Sequence, residues 1–119
     1  MLNQVVLVGR LTSDLEAKEL EDGKKVTNMT LAIPRSFKNA DGEYETDFVE
    51  CTLWNNIAEN TAEYCKKGDI IGVKGRLQSR QIEEDGVKKN ITEIISEKVT
   101  FLSSKSKDEK EEKDWNKYS

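Results

Sequence analysis

The chain has 119 residues, of which 35% are hydrophobic and 35% charged, and its formal net charge is −4. This length suits one domain with one core, and no apolar run approaches the length of a membrane span. The acidic balance argues against a protein that binds duplex DNA by bulk charge alone. Histidine, the commonest general base, is absent. The two cysteines, Cys51 and Cys65, form no Cys-x-x-Cys pair, so we expect small buried hydrophobes and no zinc site.

The first two predicted strands alternate apolar and polar side chains. Residues 3–11 form the first strand, in which Gly9 suggests a bend or a bulge. The second strand covers about residues 25–33, and we expect Pro34 to end its pairing because proline has no N–H to donate. Three Asp-Gly pairs suit hairpin turns, since both residues tolerate positive φ. These pairs are Asp22-Gly23, Asp41-Gly42 and Asp85-Gly86.

The third predicted strand, residues 47–54, carries two different faces. Val49, Cys51 and Leu53 form a small apolar set suited to a core. Phe48 and Trp54 point to the other side, so two large aromatics face away from that core.

A helix is predicted after this strand. Asn56 is its expected N-cap, and Glu59 completes a capping-box-like pair. Gly68 is expected to end the helix in the left-handed cap position, after two lysines whose charge suits a helix C-terminus.

The last two predicted strands cover about residues 69–83 and 88–102. In the fourth strand one side is apolar and predicted to face inward: Ile71, Val73 and Leu77. The opposite side carries spaced cations and an amide: Lys74, Arg76, Gln78 and Arg80. We expect Phe101, near the end of the fifth strand, to belong to the core.

This pattern predicts an all-β protein with an OB-fold, a five-stranded, partly open Greek-key barrel with one helix between strands 3 and 4. We expect residues 1–102 to form the barrel domain and residues 103–119 to form a flexible charged tail, because the tail has too little apolar surface to fold; a short helix in the tail is the alternative. Flat aromatics beside spaced cations on the open face of a curved sheet suit a polyanion with stackable rings. Single-stranded nucleic acid is such a ligand.

Several ordered segments resemble the bacterial single-stranded DNA-binding protein family, SSB. The resemblance covers residues 1 to about 102 and rests on these segments in order: NQVVLVGRLT (3–12), NMTLA (28–32), DFVECTLW (47–54), AEN (58–60), KKG (66–68) and GRLQSR (75–80). The resemblance implies an OB-fold homotetramer, with a dimer as the fallback, that wraps single-stranded DNA in replication, recombination and repair. It also implies a cytoplasmic, nucleoid-associated protein that needs no cofactor and no membrane.

The resemblance also implies site residues. Family aromatics that stack bases match Phe37, Phe48 and Trp54, and family cations that contact phosphates match Lys67 and Arg80. Arg76 and Lys74 share the outward parity of Arg80, and Arg35 lies within reach on the second hairpin. The alternative for each aromatic is core packing, which alternation argues against for Phe48 and Trp54 but not for Phe37. For any single lysine the alternative is an ordinary solvated side chain.

The sequence departs from the family pattern at three positions and at its end. Ile82 and Asn90 stand where relatives carry aromatics, and Glu50 lies between Phe48 and Trp54, where a carboxylate repels phosphate. The final residues, WNKYS, lack the acidic tip with which many members recruit repair proteins, so we do not expect recruitment by that route. This favours a short-tailed member, either an accessory paralogue or a version carried by phages or mobile elements.

Three classes of function remain to be compared. The leading hypothesis is a non-catalytic protein that binds single-stranded DNA with little sequence preference. The alternative is an SSB-like barrel that acts mainly as a protein-interaction module with weak DNA binding, since the fold alone does not fix function. An enzyme is the third hypothesis and the least supported, because the sequence has no phosphate-binding glycine loop of the P-loop type.

Overall fold

A computed structural model describes residues 1–104, which form six strands and one helix. The elements are β1 (Val5–Leu11), β2 (Lys18–Glu19), β3 (Lys25–Lys38), β4 (Tyr44–Trp54), α1 (Asn55–Tyr64), β5 (Ile70–Glu84) and β6 (Val87–Ser103). The predicted tail, residues 103–119, lies outside the described residues beyond Ser104. Within the described part of the chain, no helix is long and apolar enough to cross a membrane.

Five of the strands close into a barrel. The strand order is β1-β5-β6-β4-β3-β2, and β1 also pairs with β3 at Arg10↔Ala32 and Leu11↔Leu31, which closes the sheet on itself. All the strand pairs are antiparallel except β4 with β6, which are parallel at Cys51↔Ile94 and Thr52↔Ile95. The helix lies between the third and fourth strands of the barrel, so the predicted OB-fold is confirmed. The two-residue strand β2, at the edge beside β3, is an addition to the prediction.

The hairpin between β3 and β4 is longer than predicted. Pro34 does not end the pairing, because β3 continues to Lys38 and Pro34 lies opposite Thr46. A register shift follows between Pro34 and Lys38, and such an irregularity is where a strand tolerates proline. All three predicted Asp-Gly turns are confirmed, and the glycine of each has a positive φ. The longer β3–β4 hairpin forms an arm that extends beyond the barrel.

The helix is found where the sequence predicts it, but both predicted caps are wrong. Trp54, not Asn56, is the N-cap, and no side chain caps the helix there. The helix ends at Tyr64, with Cys65 as its C-cap. Gly68 lies beyond it in a separate turn, where its N–H donates to the carbonyl of Leu11 at 2.7 Å. That turn ties the end of the helix segment to the end of β1.

The core consists of strand side chains that alternation points inward, together with a buried residue of α1, Ala58. Its fully buried members are Leu11, Met29, Leu31, Cys51, Leu53, Ala58 and Ile71. Both cysteines are buried and free, as predicted, and burial raises the pKa of the Cys51 thiol to about 11.

Two residues predicted to face the core are half exposed instead, Leu77 and Phe101. Leu77 follows Gly75, the last β5 residue that pairs with β1, so no β1 residue pairs with it, although Ile94 on β6 does. Phe101 adjoins an irregularity in the register between β5 and β6, and such bulges re-aim side chains.

Candidate nucleic-acid interface

The two aromatics of β4 point away from the core, as alternation predicts. Phe48 is 69% exposed and Trp54 is 36% exposed, whereas Cys51 and Leu53 are fully buried. Phe48 lies opposite Ala32 on β3, a residue whose methyl group is too small to cover the ring. The prediction that these rings face outward is therefore confirmed, and the flat surface of Phe48 is open to solvent.

A row of cross-strand neighbours joins these aromatics to the arginines of β5. Thr52 lies opposite Asn28 on one side and beside Ile95 on the other, and Ile95 lies opposite Arg76. Paired residues point to the same side of a sheet. The register therefore places on one side of the sheet a set that we call the aromatic–cation face. Its members are Phe48, Thr52, Trp54, Ile95, Arg76 and Arg80.

Both arginines of this face hold polar partners. The Arg76 guanidinium donates to Oε1 of Gln78 at 2.7 Å, and its Nε lies 3.9 Å from Oε2 of Glu97. Arg80 forms an ion pair with Glu93 on β6. These contacts hold each guanidinium in place on the sheet while leaving it partly exposed.

Lys74 is exposed at the margin of the face nearest β1. Its cross-strand neighbours are Val6 on β1 and Lys98 on β6. Lys74 points to the same side of β5 as Arg76, as predicted, but neither of its cross-strand neighbours is aromatic. Lys74 therefore adds a third positive charge to the side of β5 that carries Arg76 and Arg80.

The arm formed by β3 and β4 carries Phe37 and Arg35. Phe37 is 64% exposed, in the segment where the register shifts, so it is not a core residue. Arg35 pairs with Asp47, at 2.8 Å between Nη2 and Oδ1, and with Glu45. Asp47 lies opposite Ile33, on the side of the arm that faces away from Phe48. The structure therefore separates Arg35 from the aromatic–cation face.

The contacts of Arg35 account for two pKa shifts. The hydrogen bond to Asp47, together with the charges of Asp47 and Glu45, raises the pKa of the guanidinium. The same hydrogen bond lowers the pKa of the Asp47 carboxyl below its ordinary value. At neutral pH the arm therefore holds a cation already neutralised by its own carboxylates.

Lys67 lies in the turn after α1, with its side chain exposed. Its backbone N–H donates to Oδ1 of Asp14 at 2.8 Å, which fixes the turn. Trp54 directly precedes α1 and Lys67 follows it, and a helix of this length spans about 15 Å. The length of the helix therefore separates Lys67 from Trp54.

The three departures from the family pattern occupy different places. Glu50 is exposed between Phe48 and Trp54, on the aromatic–cation side of β4. Ile82 shares the parity of Arg80 and lies opposite Lys89, so it extends this face toward the tip of the β5–β6 arm. Asn90 lies opposite Gln81, which places it on the other side of the arm.

Sequence reasoning missed the residues of β3 and β6 that share the face. Asn28 accepts a hydrogen bond from the Thr52 hydroxyl at 3.3 Å, and Glu93 and Glu97 approach the two arginines. Alternation in β6 was visible in the sequence. The parallel pairing that sets β6 beside β4 was not, and no local signal announces it. Across residues 1–104, no group of three or more potential metal ligands is present.

Comparisons with known proteins identify a family and a similar fold. The Single-strand binding protein family matches residues 2–102. Single-stranded DNA-binding protein B of Bacillus subtilis is 50% identical over 109 residues, which cover 91% of this chain and 96% of that protein. Single-stranded DNA-binding protein 3 of Listeria innocua is 50% identical over 106 residues, which cover 88% of this chain and 66% of that protein.

A solved structure is similar as well. The Plasmodium falciparum SSB complex with ssDNA superposes with a TM-score of 0.73 at 28% identity, covering 87% of this chain and 96% of that one. The chain thus matches nearly the whole length of the Bacillus subtilis protein and about two thirds of the Listeria innocua protein.

Proposed function

Since the chain belongs to the single-strand binding protein family, we propose that it binds single-stranded DNA, with little sequence preference, in replication, recombination and repair. The observation that carries this proposal is one face that presents both outward aromatics of β4 and two arginines of β5. The names of the relatives and the single-stranded DNA in the similar solved structure support it. They do not favour the alternative of a protein-interaction module.

In the proposed mechanism, bases stack on Phe48 and Trp54, and Phe37 adds a third ring from the β3–β4 arm. Stacking is tolerant of sequence because every base offers a π face. Phosphates meet the cations beside the rings, above all Arg76 and Arg80. Each neutralised phosphate releases counterions, so the affinity falls as the salt concentration rises.

The remaining cations receive smaller roles. Lys74 extends the phosphate path toward β1, and Lys67 meets a strand that continues past α1. Arg35 contributes least, because its charge is matched by Asp47 and Glu45 on the opposite side of the arm. We assign no catalytic step to the protein.

The outer surface of β1 supports a homotetramer, with a dimer as the smaller assembly. Val6 and Val8 are exposed, and Leu102 flanks Gly72 on the same side of the sheet. β1 pairs with β3 only at Arg10 and Leu11, so within the described residues no strand covers that edge of residues 5–9. An apolar patch beside an open edge is suited to pairing across a two-fold axis. In cells we expect the assembly to be cytoplasmic and associated with the nucleoid.

A fluorescence titration tests the proposed function. The chain has two tryptophans, so a Trp115→Phe variant leaves Trp54 as the sole tryptophan. Titration with oligo(dT) should quench Trp54 at low salt, because a base stacks on its ring, and a duplex of the same length should quench it far less. Unchanged fluorescence without detectable binding, or equal affinity for the duplex, contradicts the proposal.

A further inference from the structure

Two carboxylates of β6 lie against the arginines to which the proposed function assigns phosphates. Glu93 pairs with Arg80, and Glu97 lies 3.9 Å from Arg76. Glu93 stands opposite Gln78, which has the same parity as Arg80, so the pair lies on the aromatic–cation face itself. The acidic groups therefore belong to the surface on which a bound strand runs.

Exposure distinguishes the two partners of the Arg80 pair. The Glu93 side chain is only 18% exposed, whereas the Arg80 side chain is 56% exposed. The carboxylate is held close to the sheet beneath the guanidinium, which leaves other edges of the guanidinium toward solvent. A ligand that approaches from solvent therefore meets Arg80 first, with Glu93 already occupying one of its donors, Nε.

Carboxylate and phosphate compete for the same donors. Both accept paired hydrogen bonds from the planar guanidinium fork. While Glu93 holds Nε, a phosphate either accepts from the remaining N–H groups or displaces the carboxylate. In both cases the positive charge offered to DNA is reduced by the nearby negative one.

We propose that Glu93 is an intramolecular competitor for the DNA phosphate at Arg80. This inference rests on the proposed function and concerns how that function is tuned. Glu93 lowers the affinity for single-stranded DNA, so bound DNA dissociates more readily. Glu97 does the same to Arg76, more weakly, because the separation of 3.9 Å leaves that guanidinium less engaged.

The competition has a signature in the salt dependence. Neutralising one phosphate of a single strand contributes about 0.7 to the slope of log K against log salt. When a phosphate displaces Glu93, the freed carboxylate takes a cation back from solution. Part of the counterion release is then cancelled, so the parent protein shows a shallower slope than its number of phosphate contacts implies.

The test measures the anisotropy of a labelled oligo(dT) with the full chain over a series of salt concentrations. Glu93→Gln removes the charge and keeps the shape, and it should tighten binding roughly 3- to 10-fold at low salt. Its salt slope should steepen by up to about 0.7. The control is Glu83→Gln, which makes the same charge change on the other side of the β5–β6 arm, opposite Lys88. It should alter the affinity less than about twofold, since rim charges contribute little.

A double-mutant cycle with Arg80→Gln separates competition from bulk charge. Competition predicts that losing Arg80 costs more affinity in the Glu93→Gln background than in the parent. If Glu93→Gln tightens binding equally with and without Arg80, Glu93 acts through general charge and the inference is overturned. Thermal unfolding of each variant checks folding, and Glu97→Gln supplies a second test if Glu93→Gln fails to fold. It should tighten binding by a smaller factor, and no tightening would then overturn the inference.

The outcomes for the two proposals are distinct. If the parent protein does not bind oligo(dT) at low salt, the proposed function fails. If the parent binds and Glu93→Gln changes neither the affinity nor the salt slope, the competition is refuted while the proposed function stands.

Discussion

Replacing Phe48 with alanine gives the sharpest single-residue prediction. Stacking of one base on an aromatic side chain contributes about 1–3 kcal/mol, so the loss of this ring should weaken binding of oligo(dT) about 5- to 150-fold. The ring is 69% exposed, so its removal opens no cavity in the core. The free energy of unfolding should therefore change by less than about 0.5 kcal/mol. Fluorescence anisotropy and thermal unfolding measure the two quantities separately.

Tyr64→Ala is the matched control for this prediction. Tyr64 is 70% exposed, almost the same as Phe48, but it lies at the end of α1 and not on the aromatic–cation face. Its removal should leave the affinity for oligo(dT) within about twofold of the parent, since surface substitutions away from a binding site have small effects. Equal losses in the two variants, or no loss in Phe48→Ala, would refute the stacking assignment.

Three further predictions concern stability and ionisation. Gly75→Ala should destabilise the fold by about 1–3 kcal/mol in urea unfolding, because a β-carbon there collides with the backbone of β6. Gly72→Ala should lose less stability, because a β-carbon there would meet no atom nearer than 3.7 Å. A larger loss of stability in Gly72→Ala than in Gly75→Ala would contradict the predicted collision at Gly75. Burial raises the pKa of the Cys51 thiol to about 11 from 9.0, so its contribution to stability is complete below pH 9.0 and is lost as the pH rises toward 11. The loss is at most about 1.4 kcal/mol per pH unit, and it should vanish in Cys51→Ala measured over the same pH series. The carboxyl of Asp47 should titrate below its ordinary range by NMR and return toward that range in Arg35→Gln, because the hydrogen bond from Arg35 lowers its pKa. An unchanged titration in the variant would remove Arg35 as the cause.

The sequence predicted the features that depend on local alternation and turn chemistry. Cys51 and Leu53 face inward while Phe48 faces outward, because a strand repeats every two residues whatever its neighbours are. The Asp-Gly turns were predictable for a similar reason, since few other residues tolerate the backbone angles of a tight hairpin. These two regularities were enough to place the strands and the side on which the rings lie, and the position of the helix between strands 3 and 4 then favoured the OB-fold.

Features that depend on contacts between distant segments were not predictable in this way. Pro34 was expected to end a strand, yet its lack of an N–H is harmless where the register shifts. Leu77 has inward parity, but β1 stops pairing before it, so the side chain is left half exposed. The parallel pairing of β4 with β6, which places Ile95 beside Thr52, has no turn or local pattern that announces it.

Photo-cross-linking maps the contact surface most directly. An oligonucleotide containing 5-iodouridine, irradiated in complex with the full chain and analysed by mass spectrometry, identifies the side chains that contact its bases. Cross-links are expected at Phe48 and Trp54. Cross-links confined to Tyr64 and Phe101, with neither β4 ring modified, would show that the DNA lies elsewhere on the barrel.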